Sequence, residues 1–242
     1  MKKHLTIIGT LISICSFSQG KMNIDLYIAP LYGYRTISSS NSLWKEIMVD
    51  PLDSVERPST GLSFGLFFEM QVSKRLTIKT GLESTALNEK VTRKFSRPTT
   101  GQIVTYSEDF YNSYKYLGMP LAATYSVISN SHLSIGVIAS LRLDKMIQYD
   151  IEPYSVRKDN SLSVWVYDLF ALGSSAALNF EYEVKKVSFY INPGFFIYLT
   201  PNAHYYYSDD LNYFSIPVDT EIKQHNYYFF SSLGVKYTIN SQ

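Results

Sequence analysis

The sequence predicts an all-β protein: an eight-stranded antiparallel up-and-down transmembrane β-barrel that follows a cleaved signal peptide. Three observations predict it: a short apolar segment near the start, stretches in which apolar residues alternate with small or polar ones, and connections that alternate in length. Alternation indicates a strand because successive side chains point to opposite faces of a sheet. In the segment LGVKYTI, for example, Leu233, Val235 and Tyr237 share one face, whereas Lys236 and Thr238 share the other.

Residues 1–18 have the features of a secretory signal peptide. Lys2 and Lys3 precede a short apolar run, and Ser16 and Ser18 are the small residues that favour cleavage after position 18. The apolar run is too short to cross a bilayer as a helix. No later stretch approaches the length of apolar sequence that such a helix needs, so the membrane is expected to be crossed by strands.

The expected mature domain, residues 19–242, is nearly neutral and lacks cysteine. The whole chain has 22 basic and 21 acidic residues, and the signal peptide removes two of the basic ones. This balance gives no electrostatic reason to expect nucleic-acid binding. Cys15, the one cysteine, lies in the signal peptide, so we expect no disulfide and no thiolate metal site. A lipid-modified Cys15 is the alternative, but the preceding Ile14 is bulky where a small residue is expected.

The alternating segments predict eight strands joined by long and short connections in turn. An even strand number places every short turn and both chain ends at one rim, and every long loop at the other, as in outer-membrane barrels. In the sixth strand the alternation weakens, for which a bulge near Gly173 would account. The predicted strands are residues 23–37, 59–72, 76–91, 114–127, 133–149, 162–183, 187–199 and 225–239, and the long loops are residues 38–58, 92–110, 150–161 and 200–224.

The apolar face of these strands is expected to point outward to lipid. In the second strand Phe64 and Leu66 alternate with Ser63 and Gly65. The small face carries too few charges for the exterior of a soluble barrel, whereas a narrow interior requires small or paired polar residues. Outward aromatic residues near the short turns are expected to form a girdle at the membrane boundary: Tyr125, Tyr182, Phe189 and Tyr237.

A charged network is predicted in the lumen. The alternation places Glu69, Lys79, Glu83, Arg142 and Asp144 on inward faces. Buried charges must pair, so the favoured interpretation is a structural plug. The alternative is a path for ions or protons, since eight strands leave too little lumen for a wide pore.

The fourth long loop is a candidate extracellular recognition surface. Tyrosine beside aspartate and asparagine is typical of binding surfaces, where rigid rings supply contact area. The alternative is that these tyrosines extend the strands or form an upper girdle. The candidate residues are His204, Tyr205, Tyr206, Tyr207, Asp209, Asp210 and Tyr213.

Catalytic patterns are weak in this chain. His204 and His225 could meet Asp209, Asp210 and Asp219 at the long-loop rim, but no spacing motif supports a hydrolytic or metal site. We find no phosphate-binding glycine loop, nucleophile elbow or zinc-binding helix motif. We therefore predict no catalytic residue, no metal and no cofactor, with a lipid-modifying enzyme as the remaining alternative.

Three short segments carry a family pattern: YLGMPL at 116–121, LTIKTGL at 76–82 and LGVKY at 233–237. The first is similar to the Tyr-Leu-x-Ile-Pro-Leu strand of the PorT-like outer-membrane β-barrel family of Bacteroidetes, and the others resemble the third and closing strands of that family. The resemblance implies an eight-stranded barrel and, for some members, a link to secretion or gliding machinery.

Barrel pattern and resemblance together predict the location and the role. We expect an integral protein of the bacterial outer membrane with a structural, adhesion or secretion-accessory role. Its expected partners are outer-membrane lipid and other envelope or secretion proteins, and not nucleic acid. A narrow channel for ions or very small solutes is the alternative.

Overall fold

The computed structural model describes residues 21–39, 58–99, 102–152, 162–167, 170–201, 203–208 and 222–240. The predicted signal peptide and much of the long connections lie outside these ranges. Within them, no helix has the length and apolar character needed to cross a membrane. The ten strands are β1 (Met22–Ser39), β2 (Ser59–Gln71), β3 (Leu76–Thr99), β4 (Gln102–Ser129), β5 (Leu133–Glu152), β6 (Leu162–Tyr167), β7 (Phe170–Val184), β8 (Val187–Tyr198), β9 (Ala203–Ser208) and β10 (Ile222–Asn240).

Eight of these strands form a closed antiparallel barrel, which confirms the predicted fold class. Their order is β1-β2-β3-β4-β5-β7-β8-β10, and β10 pairs with β1 to close the wall. Closure gives every strand two neighbours, so most backbone donors and acceptors of the wall are satisfied without water. The short strands β6 and β9 pair with each other, and β9 also pairs with the start of β10, so they extend the wall at one rim.

Three tight turns lie at the opposite rim, which we call the short-turn rim; the other is the long-loop rim. In the first turn Ser73 Oγ accepts a hydrogen bond from the Leu76 N–H at 3.1 Å. In the second, Asn130 Oδ1 accepts one from the Leu133 N–H at 2.7 Å. Such side-chain bonds favour serine and asparagine in turns. The third turn joins β7 to β8 through two residues, and Lys185 adopts a positive φ of 58° there.

The apolar face of the barrel points outward, as the alternation predicted. Phe64 is 59% exposed, whereas its neighbour Ser63 is 1% exposed. The same contrast recurs along β2, where inward and outward positions alternate. The aromatic residues expected at the short-turn rim are all exposed on the exterior: Tyr125, Tyr182, Phe189 and Tyr237. A band of apolar side chains thus surrounds the barrel, with aromatic rings at its edge.

The prediction that residues 92–110 form a loop is wrong. β3 and β4 continue as a paired hairpin as far as Thr99 and Gln102. The charged residues in this segment favour a loop in the sequence analysis, because lipid excludes charges from the outer face of a strand within the membrane. Beyond the bilayer this constraint disappears, so a β-ribbon can carry charges and still keep its ladder.

The predicted sixth strand, residues 162–183, is divided into β6 and β7, and the bulge expected near Gly173 is wrong. β7 pairs with β5 through Gly173 without a change of register. The alternation is weak because the outward positions carry the small residues Ser174 and Ala176 instead of large apolar ones. β6 lies beyond this pairing and joins β9.

Candidate functional site

The described part of the lumen contains two clusters of charged side chains at different heights, and a separate buried pair, Arg35 and Glu89, nearer the long-loop rim. All five charged residues predicted to face inward do so, but they do not form one network. Glu69 and Lys79 belong to a cluster close to the short-turn rim. Glu83, Arg142 and Asp144 belong to a cluster near the middle of the barrel. Sequence alternation identifies the inward face, whereas the strand register decides which residues on that face meet.

The short-turn cluster consists of Asp25, Glu69, Lys79, Glu181, Tyr190 and Lys236. Lys236 Nζ lies 3.0 Å from Glu69 Oε2 and 2.7 Å from Glu181 Oε2. Asp25 Oδ1 accepts a hydrogen bond from the Tyr190 hydroxyl at 2.6 Å, and its Oδ2 lies 3.5 Å from Lys79 Nζ. Asp25 is fully buried, so these partners replace the water that a carboxylate needs. Each member comes from a different strand of the wall, so the cluster ties distant strands together and fills the lumen at this height.

The central cluster consists of Ser63, Glu83, Thr85, Arg142, Asp144 and Tyr198. Arg142 donates to Glu83 Oε1 through one terminal nitrogen, and its Nε donates to Asp144 Oδ2 at 2.9 Å. The Tyr198 hydroxyl donates to the same Asp144 oxygen at 2.6 Å. Ser63 Oγ donates to Glu83 Oε1 at 2.6 Å. The fork of the guanidinium thus joins carboxylates from β3 and β5.

Gly118 makes room for the central cluster. The register places Gly118 between Glu83 on β3 and Asp144 on β5, so the three positions form one row across the sheet. A Cβ at Gly118 would collide with Asp144 Oδ1 and lie 3.1 Å from Arg142 Cδ. Because Gly118 has no side chain, Arg142 and Asp144 can pack directly against the inner wall at this position of β4.

Buried aromatic rings pack on the long-loop side of the central cluster. Phe196 stacks on Tyr228 with ring centroids 5.3 Å apart, and Tyr198 meets both rings edge-on. Arg142 Cζ lies 4.1 Å from the Phe196 centroid, which adds a cation–π contact. We call these rings, with Tyr114 and Tyr116, the aromatic layer. Their burial shows that the layer fills the lumen between the central cluster and the long-loop rim.

A small cavity lies between the two charged clusters, with a volume of about 80 Å³. Lys79 and Tyr190 line it on the short-turn side, and Arg142 and Tyr228 line it on the other. Water occupies a polar cavity once about 10–15 Å³ is open to it, so this one is large enough for several molecules. The lumen therefore holds a chamber lined by both apolar and polar side chains, between two levels that side chains fill.

The predicted recognition loop is partly strand. His204, Tyr205, Tyr206 and Tyr207 lie in β9, whose backbone pairs with β6. Their strand extends the wall at the long-loop rim, which is the arrangement given above as the alternative to a free loop. Asp209, Asp210 and Tyr213 lie outside the described residues, so the recognition surface stays a prediction.

The histidines proposed as an alternative catalytic pair lie at the same rim. His204 in β9 pairs with Lys223 in β10, and His225 follows two residues later. His225 Nδ1 lies 3.4 Å from the Tyr198 carbonyl oxygen. Asp219 lies outside the described residues, and those that are described contain no group of three residues able to hold a metal ion.

Several lumenal residues were missed by sequence reasoning: Asp25, Glu181, Tyr190, Tyr198 and Lys236. Lys236 lies on the polar face of the closing strand, so alternation could have placed it in the lumen. Alternation also places Tyr190 and Tyr198 on the inner face, beside the outward Phe189 and Ile197, but it does not indicate that their hydroxyl groups meet buried carboxylates. Register alone brings the Tyr190 hydroxyl to Asp25, which is 165 positions away in sequence.

No protein-family model and no curated protein matches the chain. Among solved structures, it resembles the outer membrane protein OprG from Pseudomonas aeruginosa, with a TM-score of 0.55 and 13% identity over 93% of this chain and 98% of that chain. A major outer membrane protein from Thermus thermophilus aligns with a TM-score of 0.48 and 11% identity over 91% of this chain and 100% of that chain. The likeness to OprG shows the fold.

The chain is a transmembrane β-barrel of the outer-membrane type. Its apolar exterior, short turns at one rim and long connections at the other agree with that fold. Closed barrels with such an exterior belong to the bacterial outer membrane, which places this protein there. The charged lumen of this outer-membrane barrel is thus surrounded by lipid, and its polar groups depend on one another for solvation.

Proposed function

We propose that this outer-membrane barrel has a structural or protein-interaction role in the cell envelope, as an adhesion, envelope-stability or secretion-accessory component, and is not an enzyme. The observation that carries the proposal is the occluded lumen. The short-turn cluster, the central cluster and the aromatic layer each fill the lumen at a different height. A barrel without an open passage acts through its surface.

The long-loop rim is the surface that would meet a partner. The β3–β4 hairpin continues beyond the last pairing of β2 with β3, at Thr60 and Asn88, and reaches Thr99 and Gln102. A two-stranded ribbon is marginally stable alone in water, so a partner surface would stabilise it. The sequence resemblance to PorT-like barrels of Bacteroidetes supports a secretion-linked partner, and outer-membrane lipid surrounds the barrel in either case.

Site-specific photo-crosslinking in native membranes tests the interaction role. A photoreactive residue at Thr99 or Gln102 is expected to form a reproducible adduct with an envelope protein. The same residue at Leu121, which is 57% exposed on the lipid-facing wall, is the matched control and is expected to label lipid only.

A variant whose hairpin is shortened between Lys90 and Tyr111 by an Asn-Gly turn should fold and lose the partner. In this shortened variant, a photoreactive residue placed beside the new turn is expected to form no adduct with an envelope protein. If the full-length barrel folds but forms no protein adduct from Thr99 or from Gln102, an interaction through this rim is contradicted.

An ion path is the second candidate, and the charge balance of the lumen favours it. The short-turn cluster has three carboxylates beside two ammonium groups, and the central cluster has two carboxylates beside one guanidinium. Such an excess would favour cations. For the closed barrel, planar-bilayer recordings should give no conductance steps. Discrete steps in the wild type whose cation selectivity changes in a folded Arg142→Ala barrel would instead establish conduction through the lumen.

A further inference from the structure

The segment Asn192-Pro193-Gly194 creates a thin place in the barrel wall beside the lumenal cavity. β7 and β8 are paired at Ala177↔Gly194 and again at Phe180↔Ile191, but the two positions between are not paired. Proline has no N–H to donate to a ladder and is therefore rare in the middle of a sheet. The hydrogen-bond ladder between β7 and β8 is interrupted at the middle of β8.

Small residues keep the wall thin at this interruption. A Cβ at Gly194 would lie 2.6 Å from both Ala177 Cβ and Phe230 Cζ. Phe230 is an inward position of β10, and its ring therefore lies over the space that Gly194 and Ala177 leave open. A single aromatic ring covers the weak point of the wall.

The same residues separate the cavity from the lipid side. Ile138, Ala177 and Phe230 line the lumenal cavity, and they also line an open groove on the exterior. The other residues of that groove face lipid or border it: Val137, Ala176, Leu178, Pro193, Gly194, Phe195 and Phe229. Ile138, Ala177 and Phe230 line both spaces, so these side chains separate the cavity from the exterior groove.

The ends of the lumen offer no comparable route. Towards the short-turn rim, a solute would have to separate Asp25 from Lys79 and Tyr190. Towards the long-loop rim, it would have to displace Arg142 from its carboxylates and pass the stacked rings of the aromatic layer. Moving one apolar ring disrupts no ion pair, so the lateral route is the easiest entry.

The chemistry of the cavity defines what it can hold. Ala122, Ile138 and Ala177 form an apolar wall and pack together with Phe230. Asn192 lines the cavity and is 2% exposed, and its Oδ1 accepts no hydrogen bond from any described residue. A buried amide oxygen favours a donor that pairs with it. The volume of about 80 Å³ is smaller than the cavity of about 150 Å³ that accommodates benzene.

We propose that the cavity binds a small neutral amphiphile of the short-chain alcohol class, which enters from the bilayer past Phe230. The hydroxyl donates to Asn192 Oδ1, and the apolar body packs against Ala122, Ile138 and Ala177. This site is separate from the surface of the long-loop rim, so it does not depend on a protein partner.

Titration with 1-propanol tests the site in the barrel reconstituted in lipid nanodiscs with labelled alanine and isoleucine methyl groups. The methyl resonances of Ile138 and Ala177 are expected to shift saturably, while that of the lipid-facing Ile78 shifts only linearly. Propane, which lacks the hydroxyl, should bind more weakly than 1-propanol.

Three variants separate the parts of the proposal. Asn192→Leu should weaken 1-propanol binding about tenfold, equivalent to the loss of one hydrogen bond, and should leave propane binding unchanged or stronger. Ala177→Leu fills the cavity and should abolish both. Phe230→Ala should accelerate exchange between free and bound propanol, whereas Phe189→Ala, on the exterior near the short turns, should not.

The result that overturns the proposal is a linear shift at Ile138 and Ala177 in a folded wild-type barrel. Such a shift means that propanol partitions only into the bilayer and that the cavity holds water. Saturable binding that is identical in Asn192→Leu also overturns it. If Asn192→Leu does not fold, the Ala177→Leu variant tests the proposal instead. Saturable propanol binding to the barrel with a filled cavity would show that the ligand binds elsewhere.

Discussion

Arg142 shows how a single charge is accommodated inside a membrane protein. Its side chain is buried, and its partners come from two strands and an aromatic ring. Both carboxylates of the cluster also accept hydrogen bonds from hydroxyl groups, including those of Ser63 and Tyr198. These partners replace much of the water that the charged groups lost, which is the condition under which a charge can remain buried, although Asp144 Oδ1 has no partner among the described residues.

Removal of this charge should destabilise the barrel strongly. In Arg142→Met, Glu83 and Asp144 are left without a cation, and breaking a buried ion pair on one side costs about 3–5 kcal/mol. Urea unfolding in lipid vesicles, followed by the gel mobility of the folded barrel, measures the change. Lys115→Met on the exterior is the matched control and should alter the free energy of unfolding by less than about 1 kcal/mol.

A further pair of substitutions checks the cause of this loss. Glu83→Gln and Asp144→Asn, added to Arg142→Met, remove the uncompensated negative charges and should restore part of the stability. An Arg142→Met barrel as stable as the wild type would show that water entering the cavity solvates the carboxylates instead.

At the scale of elements, the short turns carry residues chosen for their side-chain hydrogen bonds or their backbone conformation. Ser73 and Asn130 close two turns through their own side chains. Lys185 has no such role, and its positive φ places it in the left-handed region that disfavours residues with a Cβ. The third turn is therefore the one that can be improved.

Lys185→Gly should stabilise the barrel by about 0.5–1 kcal/mol, because glycine adopts positive φ without steric cost. The midpoint of urea unfolding should rise accordingly. Lys186→Gly is the control in the same turn: Lys186 has no positive φ, so glycine there only adds disorder to the unfolded chain and should lower the midpoint. Equal effects of both substitutions would contradict the conformational explanation.

The length of the strands was the least predictable feature of the elements. Alternation between apolar and polar residues ends where the bilayer ends, because lipid no longer selects the outward residues. β3 and β4 continue to Thr99 and Gln102 all the same, since the backbone ladder requires no particular side chain. A hydrophobic pattern therefore measures the membrane-embedded part of a strand and not the whole strand.

At the scale of the whole molecule, the exterior of the barrel is its hydrophobic surface. Large apolar residues are exposed on every strand of the wall, and Leu66, for example, is 43% exposed near the middle of β2. In a soluble protein such a surface would cause association. In a bilayer it is the surface that lipid chains cover, and closure of the ladder gives the wall no free edge.

The cost of a charge on this surface should depend on depth. Leu66→Arg, at the middle of the wall, should lower the free energy of unfolding by roughly 2–4 kcal/mol, and Val127→Arg, beside the short-turn rim, by no more than about 1 kcal/mol. Urea unfolding in lipid vesicles measures both. Equal costs at the two positions would contradict the placement of the bilayer around this apolar band.

The sequence by itself determined the fold class, the outward face and the set of charged residues that point inward. These follow from the two-residue alternation of a strand. Every second side chain lies on the same face, and lipid accepts only an apolar face. Phe64 and Ser63 show this at neighbouring positions.

Only the tertiary structure decided which inward residues meet. Glu83, Gly118 and Asp144 form one row because of the register of three strands, and the Tyr190 hydroxyl reaches Asp25 only because the barrel closes. Register and closure depend on hydrogen bonds between segments that are distant in sequence. The alternation along one strand does not indicate how that strand pairs with another. The separation of the short-turn cluster from the central cluster by a cavity, and the thin wall at Pro193, follow from that long-range pairing.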